Sequence, residues 1–139
     1  MQATVRHVFL KTKHGAPMVP VQQCTAVAEK GLVGDVSFGR SSRQVLLMDL
    51  ETLQNFDLLP GDVRENLTIS GVSISGVSRL KVGEASLEIT DDCAPCAFLD
   101  ELRPGLREQI RGRRGVLARV ERGGLIRIGD PISIDDARA

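Results

Sequence analysis

Short strand-like runs broken by glycine recur along the whole chain, and they exclude more folds than any other feature. Thr4 to Leu10 is rich in β-branched residues, and Met18 to Ala28 carries Val19, Val21 and Val27 behind an early Pro20. Gln44 to Met48 is a continuous apolar run suited to a strand buried on both faces. Leu67 to Ser70, Arg79 to Glu84 and Ala85 to Thr90 follow, the last two about a tight glycine turn. Gly115 to Glu121 and Leu125 to Ile128 flank Arg122-Gly123-Gly124, which reads as a hairpin, and Ile132 to Ile134 closes the series. Helical patterns are few. Asp49 is a good N-cap for Leu50 to Phe56, and Pro104 to Ile110 has proline at its start and Gly112 beyond its end. Phe98, Leu99 and Leu102 carry a helical pattern immediately after the Cys93–Cys96 loop. A doubly wound α/β sheet needs long alternating helices. Many short strands with short helices predict instead a mainly β fold, a barrel or sandwich with inserted helices.

The length of 139 residues suits a single domain spanning 1–139. Eighteen basic and eighteen acidic residues leave no net charge, so bulk electrostatics favour neither nucleic acid nor a membrane surface. Tryptophan and tyrosine are absent, which removes the stacking platforms of single-strand binders. No apolar run reaches membrane-spanning length, and the first residues lack a signal-peptide pattern. A cytoplasmic location with reduced thiols is expected. The tail from Asp135 to Ala139 is expected to fray.

Chemistry concentrates at Cys93-Ala94-Pro95-Cys96, between a strand and a helical pattern. A thiol there is placed to react or to ligate a metal, although buried inert cysteines are common. Cys24 stands alone in a strand-like segment and reads as core. One Cys-x-x-Cys with two scattered histidines is too few ligands for a structural zinc site. Gly31-Leu32-Val33-Gly34-Asp35 reads as a loop with glycines at positive φ, or as backbone lining a ligand site. Arg103, Arg107, Arg111, Arg113 and Arg114 form a basic stretch, a solvated face or a phosphate grip.

Gly31–Asp35, Arg43-Gln-Val-Leu-Leu47, Arg64-Glu-Asn66 with Gly71, Cys93–Cys96 and Gly124–Asp130 occur in an order that resembles MOSC domains. The likeness is to the C-terminal domain of molybdenum-cofactor sulfurases, and more to the small stand-alone bacterial MOSC proteins. It implies a mixed, closed β-barrel with peripheral helices that binds the molybdenum cofactor, a molybdopterin. The mitochondrial amidoxime-reducing proteins are relatives in which a cysteine ligates molybdenum. That role carries over to Cys96 as metal ligand, with Cys93 beside it as a second catalytic thiol. Those relatives typically have arginine before this cysteine, where the present chain has Pro95. The resemblance also places Arg64 and Asn66 on the cofactor, whose phosphate Arg43, Arg64, Arg113 and Arg114 can grip, with Gly34 and Asp35 as further cofactor-binding positions. It implies reduction of N-hydroxylated or N-oxygenated compounds with an external electron-donor protein. The alternative is a non-enzymatic carrier of molybdenum cofactor, or of persulfide sulfur received from a cysteine desulfurase. A plain dithiol redox protein ranks last, because the βαβ setting of such motifs is missing. A homodimer is compatible with all three.

Overall fold

The computed structural model describes residues 2–74 and 76–135. Eight strands form one sheet in the order β11-β7-β8-β9-β5-β6-β1-β2, and β10-β3-β4 form a smaller one. The strands are β1 Thr4–Leu10, β2 Val19–Val21, β3 Gln23–Val27, β4 Gly31–Leu32, β5 Val45–Asp49, β6 Leu67–Ser70, β7 Arg79–Val82, β8 Ala85–Asp92, β9 Val116–Arg122, β10 Gly124–Arg127 and β11 Ile132–Ile134. The helices are α1 Leu50–Asn55, α2 Phe98–Leu102 and α3 Leu106–Gln109. The mainly β reading therefore holds. No helix among the described residues is long and apolar enough to cross a membrane.

Among the described residues, no strand ladder closes the sheet into the expected barrel. Strand β1 already has partners on both sides, β6 along Thr4 to Val8 and β2 along Val8 to Leu10. Only the first residues of β1 remain to meet the far edge of the sheet. There, Thr4 pairs with Pro131 in an isolated bridge. Val5 N donates to Asp130 O, Gly129 N to Val5 O and Ile132 N to Ala3 O. Pro131 has no N–H with which to extend the bridge.

The expected hairpin at Arg122–Gly124 is also absent. Strand β9 is paired to β5 on one side and β8 on the other, so neither edge can take β10. The chain crosses at Gly123 to the small sheet, where β10 pairs antiparallel with β3. A Cβ on Gly123 would lie 2.6 Å from Ala26 O, so the crossing needs glycine. Pro20 sits within β2 at the sheet edge, where a missing N–H costs least. The helix expected over Pro104 to Ile110 is the four-residue α3, entered through Gly105 at φ 86°. Of the tail, only Asp135 is among the described residues.

Helix α1 starts as expected. The Asp49 carboxylate accepts from Thr52 N at 2.9 Å and from Thr52 Oγ1 at 2.6 Å. Its Leu53 joins Met48, Val63, Leu99, Leu106 and Ile110 in a small apolar cluster under the helices. The main core lies between the sheets, with Leu47, Leu67, Ile69, Leu80, Leu87 and Ile126 fully buried. Alternation along β5 sends Val45 and Leu47 into this core and Leu46 out of it. Leu46 is paired in register with Leu117 of β9, and the two make the floor of a cavity outside the core.

Gly115 delivers the chain into β9 at φ 111°, with its absent Cβ directed 2.5 Å from Leu47 O. Gly115→Ala is expected to destabilise the protein by about 2–4 kcal/mol, from backbone strain together with displacement of β5. Urea unfolding at neutral pH measures this, and a loss below about 0.5 kcal/mol would mean that the two strands yield freely.

Candidate functional site

The cavity over Leu46 and Leu117 has a volume of about 260 Å³ and gathers residues from six stretches of chain. Lys11 and Met18 come from the region between β1 and β2, Asp35 and Ser37 from the loop after β4, and Arg40 and Arg43 from the approach to β5. Arg64 and Asn66 precede β6, Cys93 to Phe98 follow β8, and Arg114 precedes β9. Five cationic side chains thus face one carboxylate, that of Asp35.

That carboxylate is committed to structure. Asp35 Oδ1 accepts from Lys11 N at 2.7 Å and Asn66 Nδ2 at 2.9 Å, and Oδ2 accepts from Ser37 N at 3.0 Å. Asn66 is equally occupied. Its Oδ1 accepts from Leu46 N at 3.0 Å, and Nδ2 also donates to Phe9 O at 3.2 Å. Both amide protons and one acceptor position are therefore spent on ordering β1, β5 and the Asp35 loop. The two residues line the cavity and hold it open, leaving the arginines to supply the unsatisfied donors.

Arg114 is the most informative of these. It is 5% exposed, and Nη2 donates to Val63 O at 2.7 Å. Nε and Nη1 are buried without a hydrogen-bond partner among the described residues. Buried donors of a charged group are rarely left so. Behind it lies Glu65, fully buried, whose Oε2 accepts from Gly61 N at 3.0 Å and Thr68 Oγ1 at 2.6 Å while Oε1 has no partner. Burial raises the Glu65 carboxyl above its ordinary range, opposed first by the hydrogen bonds from Gly61 N and Thr68 Oγ1 and last by the field of Arg114.

The two thiols of the loop differ. Cys96 is exposed and Cys93 half-buried. Burial pushes the Cys93 thiol up, against a downward pull from Arg114 and Arg43. Cys93 N donates to Gly115 O at 2.9 Å, which fastens the loop to the start of β9. Cys24 is buried in the core with its pKa pushed up to about 12, first by desolvation and then by Asp35, so it is an inert thiol as expected.

Of the residues singled out in the sequence, Asp35, Arg43, Arg64, Asn66, Cys93, Cys96 and Arg114 meet at this cavity. Gly34 does not line it. Arg113 lines a neighbouring cavity of about 570 Å³, together with Asp49, Glu51 and Asp92, and its guanidinium carbon lies 5.1 Å from the centre of the Phe56 ring. The consecutive arginines therefore serve opposite sides of one wall. Sequence reasoning missed Lys11, Arg40 and Phe98. Lys11 and Arg40 lie in polar loops without local pattern, and Phe98 looked like an ordinary apolar position of α2.

A family model for the MOSC domain matches residues 35–133. The chain belongs to the MOSC family. No curated protein matches it. Among solved structures, the YuaD protein of Bacillus subtilis superposes with a TM-score of 0.78 at 18% identity, over 95% of this chain and 94% of that one. YiiM of Geobacillus stearothermophilus gives 0.76 at 16% identity over 96% and 75%, and YiiM of Escherichia coli gives 0.72 at 20% over 100% and 72%. At such identities the likeness is one of fold.

MOSC domains are associated with the molybdenum cofactor, and the residues of this cavity fit such a group. The orphaned donors of Arg114, with four further cations, suit a phosphate. An exposed thiol suits a soft metal. Among the described residues no three His, Cys, Asp or Glu side chains gather into a metal site, so a metal at Cys96 would need its other ligands from a bound organic group.

Proposed function

We propose that this MOSC domain binds the molybdenum cofactor in the cavity over Leu46 and Leu117, and reduces N-hydroxylated compounds there with electrons from an external donor protein. The observation that carries this reading is the pair of buried, unpartnered Arg114 nitrogens in a cavity that also holds an accessible thiol. Arg114, Arg43, Arg40 and Lys11 would neutralise the cofactor's phosphate. Cys96 would supply a thiolate to the metal, while Cys93, held to Gly115, sets the height of the loop. When bound, the cofactor supplies the two-electron exchange with substrate. Overall, two electrons from the donor and two protons convert R–NHOH to R–NH₂ and water. Asp35 and Asn66 keep the loops in register and take no part in proton transfer.

The test is molybdenum content in a host that makes the cofactor. Wild type is expected to hold near-stoichiometric metal and Cys96→Ser less than a tenth of it. Equal metal in both would move the ligand role away from Cys96, and none in either would remove the cofactor reading. The exposure of Cys96 supports a second reading, sulfur carriage. Its thiolate attacks the terminal sulfur of a cysteine desulfurase persulfide, a new S–S bond forms, and the desulfurase thiolate leaves. One added sulfur in the intact mass, lost in Cys96→Ser, identifies that outcome.

A further inference from the structure

Four non-glycine residues among those described have positive φ, and two of them, Arg43 at 56° and Arg64 at 64°, are arginines lining this one cavity. An arginine gains nothing locally from the left-handed region, and such strain gathers where a side chain must be aimed. The aim of Arg64 is visible. Its guanidinium carbon sits 3.9 Å from the centre of the Phe98 ring, and among the described residues the guanidinium makes no hydrogen bond or ion pair. One face of a planar cation is thus occupied by an aromatic ring, and every N–H of that cation is uncommitted.

Phe98 is the first residue of α2 and lies two positions beyond Cys96. Its backbone neighbourhood is tied to the thiol loop, since Leu99 N donates to Cys96 O at 3.0 Å. The ring itself packs on the small apolar cluster under the helices. The stack therefore links two loops with no sequence proximity, the one carrying the thiol and the one carrying Arg64 and Asn66.

We propose that Phe98 is a positioning residue of this site: its ring fixes Arg64 so that the guanidinium's second face takes a planar heteroaromatic ring of the ligand, and the resulting stack holds the Cys96 loop in place. This rests on the cofactor reading above and assigns the cofactor's pterin ring to Arg64, apart from the phosphate grip of Arg114. A planar ring is the chemistry that a stacked guanidinium recognises. A phosphate alone would need the arginine's edge and would gain nothing from the ring behind it.

The experiment compares wild type, Phe98→Leu, Arg64→Lys and Arg64→Gly, all produced in a cofactor-making host. Molybdenum per chain and pterin fluorescence after oxidative release are measured on each, with the thermal midpoint of the cofactor-free protein. Phe98→Leu and Arg64→Lys are expected to retain at least tenfold less pterin and metal after dialysis. The cofactor-free midpoint of Arg64→Gly is expected to stay within about 3 °C of wild type, because relief of the positive φ offsets the lost stack and the added chain entropy. Its cofactor retention is expected to fall with the others. Wild-type retention in Phe98→Leu would overturn the proposal while leaving the cofactor reading intact. Absence of pterin from wild type would instead overturn the cofactor reading. Retention that falls only in proportion to the cofactor-free midpoint would make Phe98 structural and also overturn the proposal.

Discussion

Arg114→Met is expected to lower the unfolding free energy of the cofactor-free protein by about 1–3 kcal/mol at neutral pH, because it removes the Nη2 bond to Val63 O and the cationic field that acts on the buried Glu65 carboxyl. The deficit should depend on pH in a fixed direction. Burial holds the folded-state pKa of Glu65 above its ordinary 4.5, and Arg114 works against that rise. A carboxyl raised in the folded state contributes stability that is complete below its unfolded value and is lost as pH climbs through its folded value. Removing Arg114 removes a lowering influence, so the folded value rises further and the loss grows. The variant should therefore stand closest to wild type near pH 4 and fall behind steadily toward pH 8. Urea unfolding across that range measures it. A deficit independent of pH would mean that Glu65 does not feel Arg114, and the buried donors of Arg114 would then need another account. The double variant Glu65→Met with Arg114→Met tests the same pairing from the other side. It should recover the pH-dependent part of the loss, since an apolar pair leaves no charge uncompensated.

How far the fold could be read from the sequence is instructive in its unevenness. Strands β1, β5, β6, β7 and β8 were legible because each carries its own signal, whether β-branched density, a continuous apolar run or alternation about Gly83. The Asp49 cap of α1 was legible because capping is a contact between near neighbours. What failed was pairing. Arg122-Gly123-Gly124 has the composition of a hairpin, yet β9 is flanked by β5 and β8, partners more than twenty residues upstream. Local sequence cannot report that an edge is already taken. The same holds at β1, where the occupation of one edge by β2 decides how much is left for β11.

The site divides along similar lines. The thiol pair and Arg64-Glu65-Asn66 were visible as short motifs, but their roles were not visible in residue type. Two adjacent arginines look alike in sequence, and the turn before Gly115 sends Arg113 and Arg114 into different cavities. Lys11 and Arg40 carry no pattern because a cation at a cavity rim needs only reach. Phe98 read only as an apolar position of a helical pattern, because its contact with Arg64 spans 34 positions.

Asn66 yields the second large effect. Its side chain satisfies a backbone donor of β5, a backbone acceptor of β1 and the Asp35 carboxylate. Asn66→Leu keeps the volume and removes all three partners. Leu46 N and Phe9 O are left in an apolar setting, and each unsatisfied group costs about 1–3 kcal/mol. The expected loss is about 3–5 kcal/mol in the cofactor-free protein, large against the 5–15 kcal/mol typical of a domain. Amide exchange at Leu46, followed by NMR in the wild type and the variant, localises it. The exchange of Leu46 should accelerate far more than that of the buried β8 residue Leu87, which has no contact with the network. A residue whose main work is to touch the cofactor would behave in the opposite way, leaving the cofactor-free protein stable and Leu46 protected while cofactor retention fell. An intact cofactor-free protein would therefore restore Asn66 to the ligand, whereas a destabilised one places it in the frame that holds Lys11, Asp35 and β5 around the cavity.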